Sequence, residues 1–362
     1  MLSFNLNILN KHKGISCLCI ALATIFWTGI SILPGNPYFL LATDPTIAHQ
    51  VENTHQSTPL FSIIAWILQI DTAQWFAVYS LTWCLASFAL LYFYLKSKLE
   101  WNLPFVFCIL LNHPFAYTQL LWLGLADSAH YCFWLLILLN KKCLPRFVIG
   151  IMAGANHPAS LFVAFSFLFS NFNKKEKVTL ILSVVTGSFI AKLWNYYHQI
   201  EIYTRMEYVL DRGIWHPIYN ALCNLPTLVF SYHHVCWVLI FVIVLSVCKS
   251  NKKTLTTFVI LHIIGLTMII ATDLTRCFAI VVTPLLFKLI GESEYLKGDD
   301  GNQKLLIPII AFTSFITPSI FVWDASVWTN MFHLHYSNFW EIITGQDYYI
   351  PYPTGQMNIT KE

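Results

Sequence analysis

An all-α fold is expected here, a polytopic transmembrane bundle of about nine to eleven membrane helices that includes short paired or re-entrant ones. Three observations predict it. Apolar stretches of roughly 18 residues or more recur along the 362-residue sequence, each long enough to cross a hydrocarbon core of about 30 Å as a helix. Hydrophobic residues make up 57% and charged residues only 11%, with a mean hydropathy of +0.60; a soluble domain carries about 25% charged residues. Lysines and arginines gather between the apolar stretches rather than within them. The lipid bilayer is therefore a partner that composition demands, and a net charge of +3 gives no ground for expecting nucleic acid.

Residues 1–14 are polar, with Lys11, His12 and Lys13, and the apolar run 15–33 closes at Pro34. No small-x-small cleavage site follows it, so a retained first helix is expected, with its N-terminus held on the cytoplasmic side by Lys11 and Lys13. Residues 34–59 read as an outer loop carrying Asp44, His49, Glu52 and His55. The run 60–70, ended by Asp71, is too short to span and should lie at the interface. Residues 73–95 return to the inside at Lys96 and Lys98. Residues 103–122 go out again, interrupted by Asn112-His113-Pro114, and 129–140 come back to Lys141, Lys142 and Arg146.

The next stretch, 147–170, has basic clusters at both ends, because Lys174, Lys175 and Lys177 follow it. A single crossing would strand one cluster outside. Two half-helices folded at Asn156-His157-Pro158 avoid this, since proline pushes the residue before it out of helical geometry. Residues 178–197 then cross outward, and 199–226 form an outer loop with Arg205 and Arg212. Residues 228–248 return to Lys249, Lys252 and Lys253, and 254–271 cross out to a turn at Asp273-Leu-Thr-Arg276. Residues 277–290 return, and 305–323 make the last outward crossing. Residues 1–323 thus read as a single integral membrane domain. Residues 324–362 read as an outer-face tail whose Tyr, Trp and His residues suit a headgroup interface, with the C-terminus outside.

This threading places 16 of the 21 lysines and arginines inside, but only 6 of the 18 acids, leaving +10 inside and −7 outside. The positive-inside rule expects that bias and also guided the threading. The histidines did not guide it. Eleven of the 13, all except His12 and His262, fall on or near the outer side, together with Asp44, Asp127 and Asp273. The ten cysteines contain no C-x-x-C pair and are expected to pack as small residues between helices.

The polar residues on the outer side are the candidates for chemistry. Asp44, in Ala-Thr-Asp44-Pro-Thr-Ile-Ala-His49, is placed to accept a proton from a substrate hydroxyl, and reads equally as a helix N-cap followed by proline. Asp127, with His130 one turn on, heads a returning helix; it is a cap in one reading and a desolvated functional carboxylate in the other. Asp273 and Arg276 either pair across one turn or leave Arg276 to hold a phosphate, for which its fork of donors is suited. Arg205 and Arg212 are solvated loop charges or helpers in that task. His157 is a proline-corner histidine or a substrate contact. No cofactor is indicated. A divalent metal on Asp44, His49 and His55 has no supporting ligand spacing, and no Gly-rich phosphate loop or G-x-S-x-G motif is present.

Asp44 after the first helix, Gly124-Leu-Ala-Asp127-Ser with the following 150–162 segment, and Asp273 to Arg276 together resemble the polyprenyl-phosphate-dependent membrane glycosyltransferases of the GT-C fold. The resemblance implies an outer-face site, a polyprenyl-phosphate-linked sugar as donor, a glycan or lipid-linked acceptor, and a bacterial inner membrane as location. It implies that Asp44 is the base and that Arg276, with Arg205 or Arg212, holds the donor phosphate. Asp127, His157, His130, His49 and Asp273 would then orient substrates. Two other readings stay open: an outer-face oligosaccharide polymerase, and a transporter or flippase with polar groups, His262 first among them, near the bilayer midplane.

Overall fold

Proline placement and membrane thickness together set the element lengths. The computed structural model describes residues 12–344 except 33–36, 49–53, 170–171, 203–206, 208–209, 212, 214, 249–255, 257–258, 261, 264, 266–273, 299–300, 324–325 and 330–336. The described helices are α1 (Lys13–Thr28), α2 (Pro37–Thr43), α3 (Leu60–Ile67), α4 (Ala73–Lys96), α5 (Leu103–Leu111), α6 (Pro114–Leu121), α7 (Asp127–Leu139), α8 (Cys143–Asn156) and α9 (Ala159–Ser166). They continue with α10 (Lys174–Tyr197), α11 (Trp215–Cys223), α12 (Leu225–His233), α13 (Cys236–Cys248), α14 (Leu274–Glu292), α15 (Glu294–Lys297), α16 (Gly301–Ile316) and α17 (Ser337–Ile343).

Three of these, α4, α10 and α14, are long and apolar enough to cross a membrane, and α12 with α13 makes a fourth if the pair, bent by 76°, is one span. The chain is accordingly a helical membrane protein. Most of the remaining apolar helices are shorter than a full span, and the breaks have local causes. Pro104, Pro114 and Pro226 stand in the first turns of α5, α6 and α12, where a missing N–H costs nothing. Between α12 and α13, His234 adopts φ 54°.

The bundle also wears its apolar residues outward. Ile15, Leu18, Leu22 and Phe26 form an exposed stripe on α1, while its buried residues are Cys17, Thr24 and Thr28. A surface of that kind faces lipid, and small or polar residues pack inside. Phe115 on α6, Tyr131 and Trp134 on α7, and Phe278 and Phe287 on α14 are among the largest fully buried side chains.

Around the site, α7 and α8 run antiparallel. Asn156, at the end of α8, donates from Nδ2 to the carbonyl of Ala126 at 3.0 Å, and Arg146, near its start, donates from Nε to the carbonyl of Ile137 at 3.2 Å. The chain then folds back through α9, so that α10 runs parallel to α8. Arg146 pairs with Glu176, and Cys143 Sγ lies 3.6 Å from Thr179 Oγ1, bringing the two basic clusters to one end of the bundle. The expected corner at Asn156-His157-Pro158 is the turning point. The parallel pair is unusually close because Gly150-Ile-Met-Ala-Gly154 faces Gly187. A Cβ on Gly154 would sit 2.1 Å from the Val184 carbonyl oxygen, and one on Gly187 2.0 Å from that of Ile151. Paired small residues of this spacing let membrane helices approach backbone to backbone.

The last outward run is shorter than expected. α16 stops at Ile316, and Ile320–Trp323 forms a strand, β1, paired antiparallel with β2 (Ser326–Thr329), Ile320 opposite Thr329 and Val322 opposite Val327. This hairpin is a departure from an all-helical body. Tyr117 on α6 anchors it by donating to the Ile320 carbonyl at 2.7 Å, and the Val322 N–H donates to Thr275 Oγ1 at 2.9 Å. Part of the tail, α17, packs against α4.

Candidate functional site

Three first-turn or corner positions converge at the end of the bundle opposite the lysine-rich end. Asp127 opens α7, Arg276 lies in the first turn of α14, and His157 stands between α8 and α9. A tight turn at residues 122–126 sets Asp127 in place, and Gly124, at φ 98°, supplies the left-handed conformation it requires. Backbone bonds tie this turn to the segment after α1, with the Ser31 N–H on the Leu120 carbonyl and the Leu123 N–H on that of Ser31.

Arg276 grips Asp127 with two prongs. Nε donates to Oδ2 at 2.5 Å and Nη2 to Oδ1 at 3.1 Å, while the guanidinium lies 5.8 Å from the centre of the Trp122 ring. Asp127 is 2% exposed. A carboxylate at a helix N-terminus is favoured by the helix dipole, and an arginine there is not. The pair therefore settles a wrong-signed charge at the head of α14 against a right-signed one at the head of α7. The capping role expected for Asp127 gives way to this bidentate bond, since no side-chain cap forms at the start of α7.

His157 completes the arrangement. Its Nδ1 accepts the Ala159 N–H at 3.1 Å, so a neutral ring carries its proton on Nε2, which stands 3.6 Å from Asp127 Oδ1. At that distance the contact is electrostatic rather than a hydrogen bond. His130, fully buried, lies next to it. Its Nε2 is 3.1 Å from the Ile280 carbonyl, its Nδ1 3.2 Å from Ser160 Oγ, and the His130 and His157 rings are 5.1 Å apart. Among the described residues, buried Asn156 Oδ1 has no hydrogen-bond partner.

Of the residues singled out in the sequence, Asp127, Arg276, His157 and His130 are thus brought together. Asp44 does not act as the expected N-cap. It follows α2 instead of heading a helix, and its Oδ1 closes a turn by accepting the Thr46 N–H at 2.9 Å and the Thr46 hydroxyl at 2.6 Å. The loop it belongs to is held at the far end of α10, where Trp194 Nε1 donates to the Pro45 carbonyl at 3.3 Å. His49, Arg205, Arg212 and Asp273 lie outside the described residues, so the expected Asp273–Arg276 pairing does too. Among the described residues no group of three His, Cys, Asp or Glu side chains is placed to hold a metal ion.

A second polar cluster was not anticipated. His113 Nε2 lies 2.9 Å from His233 Nδ1, and His233 Nε2 lies 2.9 Å from Nε2 of His262, on a helical turn at 262–263. His113 and His233 are fully buried. The signal for it was the repeated Asn-His-Pro. In the first copy the helix ends just before Asn112 and in the second at Asn156; in both the histidine is extended, and its Nδ1 accepts the N–H two residues on, from Phe115 at 3.1 Å and from Ala159 at 3.1 Å. Each corner thereby aims an Nε2 into the bundle, one at His233 and the other at Asp127. His233 and its neighbour diverge, for His234 Nε2 lies 2.8 Å from the Pro318 carbonyl.

No family model, curated protein or solved structure matches this chain.

Proposed function

We propose that this protein is a membrane glycosyltransferase that moves a sugar from a polyprenyl-phosphate donor to a glycan or lipid-linked acceptor on the outer, periplasmic or lumenal, face of a bacterial inner membrane. The observation that carries the reading is the gathering of Asp127, Arg276 and His157 at the end of the bundle away from the lysines. Under the positive-inside rule the lysine-rich end is cytoplasmic, which puts the cluster outside. Ionisable groups buried at a membrane protein's polar end are functional candidates, and an arginine fork suits a phosphate.

In this reading Asp127 holds the Arg276 guanidinium through two of its N–H donors and so fixes its plane beside the donor phosphate. The acceptor hydroxyl oxygen forms a bond to the anomeric carbon as the bond from that carbon to the phosphate oxygen breaks. The hydroxyl proton passes to Asp44, and the lipid phosphate leaves with the bonding electrons, its charge balanced by Arg276. Bond for bond exchange at a phosphate-activated sugar needs no nucleotide at the outer face.

Membrane vesicles supplied with a radiolabelled polyprenyl-phosphate sugar and scored for label in acceptor test the assignment. Arg276→Ala, inserted at normal levels, should lose roughly 100-fold or more of the transfer rate, the usual loss when one donor to a developing charge is removed. Unchanged transfer in both Arg276→Ala and Asp44→Asn would falsify it. A transporter or flippase is favoured by a different observation, the buried histidine array on the broken pairs α5–α6 and α12–α13. That reading expects His233→Phe, and not Arg276→Ala, to abolish passage of a labelled lipid phosphate across proteoliposomes.

A further inference from the structure

At the lysine-rich end, α8 and α10 start side by side and leave a cleft of about 190 Å³ between them. Its floor is apolar, with Ile137, Phe172 and Leu180, and its rim carries Lys141 and Lys175. The other charges that line the cleft are spent on the protein itself. Arg146 is bound to Glu176 and to the carbonyls of Ile137 and Asn140, and Glu176 also completes the capping box with Asn173. Lys177 donates to the Leu168 carbonyl. Lys141 and Lys175 are exposed, and among the described residues neither pairs with a carboxylate. Below this rim, on the outer surfaces of the same two helices, Leu144, Val148, Val178 and Leu182 are exposed.

We infer that this cleft binds the phosphodiester headgroup of an anionic phospholipid, with the acyl chains laid along the exposed faces of α8 and α10. The charge of the rim fits an anion, and the apolar strip directly beneath it fits hydrocarbon. A soluble anion would use only the first, a neutral lipid only the second. Basic pockets between helices on the cytoplasmic side meet the leaflet in which anionic lipids are concentrated. The inference rests on the membrane orientation alone and is independent of the glycosyltransferase reading.

Native mass spectrometry of the detergent-solubilised full chain tests it, with phosphatidylglycerol and phosphatidylcholine as competing probes. The wild type should retain one phosphatidylglycerol in preference to phosphatidylcholine. Two lysines near an anionic headgroup together supply a preference of about 30-fold. Lys141→Gln with Lys175→Gln should bring it close to unity, while Lys141→Arg with Lys175→Arg keeps it. A Lys96→Gln with Lys98→Gln control should also keep it. Equal retention of the two lipids by the wild type overturns the inference, as does a preference that survives the double glutamine variant in monodisperse protein. Displacement of the bound lipid by millimolar glycerol phosphate also overturns it, because the acyl chains would then contribute nothing.

Discussion

Asp127 and Arg276 are 149 residues apart in the chain and share a pair of hydrogen bonds in which Asp127 is buried and Arg276 partly so. Neither residue is expected to tolerate loss of the other. Removing one member of a buried pair strands a charge at a cost of about 3–5 kcal/mol, whereas replacing both with apolar residues of similar size is often neutral. Asp127→Ala should therefore lower the unfolding midpoint of the purified protein strongly, and Asp127→Leu combined with Arg276→Met should recover most of the loss. Equal destabilisation by the single and double variants would mean the pair is not the source. His157 offers a finer test. Asparagine can accept the same i+2 N–H that Nδ1 accepts, so His157→Asn should hold the corner, while His157→Ala should cost about 1 kcal/mol, as loss of a side-chain cap does. The sequence marked Asp127 and Arg276 individually because each stood beside an apolar run. It could not pair them, since the neighbour visible to Arg276 was Asp273, three residues away, and long-range partners leave no local spacing to read.

At the scale of elements, the α8–α10 contact is tightly constrained. Each of Gly154 and Gly187 faces a backbone carbonyl of the other helix, and a methyl group has no side chain there to push aside. Gly154→Ala or Gly187→Ala should destabilise by about 1–3 kcal/mol, the usual cost of overpacking. Gly14→Ala, whose Cβ would meet only Tyr92 Oη at 3.4 Å, should unfold at the wild-type midpoint. The fold-back through α9 was legible because a charge argument and a proline argument agreed on residues 156–158. The glycine spacing in Gly150 to Gly154 was there to be read as well, and its partner Gly187 was not, because nothing local tells which helix a small face will meet. The hairpin β1–β2 escaped for the opposite reason. Residues 320–323, Ile-Phe-Val-Trp, continue an apolar run, and a short apolar run does not distinguish the end of a helix from a buried strand.

Taken whole, the molecule has a basic end and an end where buried polar groups gather, and this polarity makes a prediction about sidedness. In a background with the exposed Cys19, Cys143 and Cys223 replaced by serine, cysteines placed at Lys142 and Lys174 should react with an impermeant maleimide from the same side of the membrane. One at Tyr196, which is 84% exposed at the far end of α10, should react only from the other. Labelling of positions 142 and 174 from opposite sides would rule out the parallel arrangement of α8 and α10. The helical membrane class was readable from composition alone. The number of full spans was not, because apolar length was counted across the proline break that divides 103–122 and across the bend at His234 within 225–248.

The first proline corner has one more consequence. The Phe115 peptide N–H donates to His113 Nδ1 and so leaves the proton of a neutral His113 on Nε2, facing His233 Nδ1. His233 must then carry its own proton on Nε2, where it meets His262. A single peptide group thus orders the hydrogens of three rings drawn from residues 113, 233 and 262, and the array has a direction, pointing away from α6. Turning the middle ring over breaks both of its bonds at once. The three stretches of chain are consequently held in one register, with a sense that is set by where a helix begins.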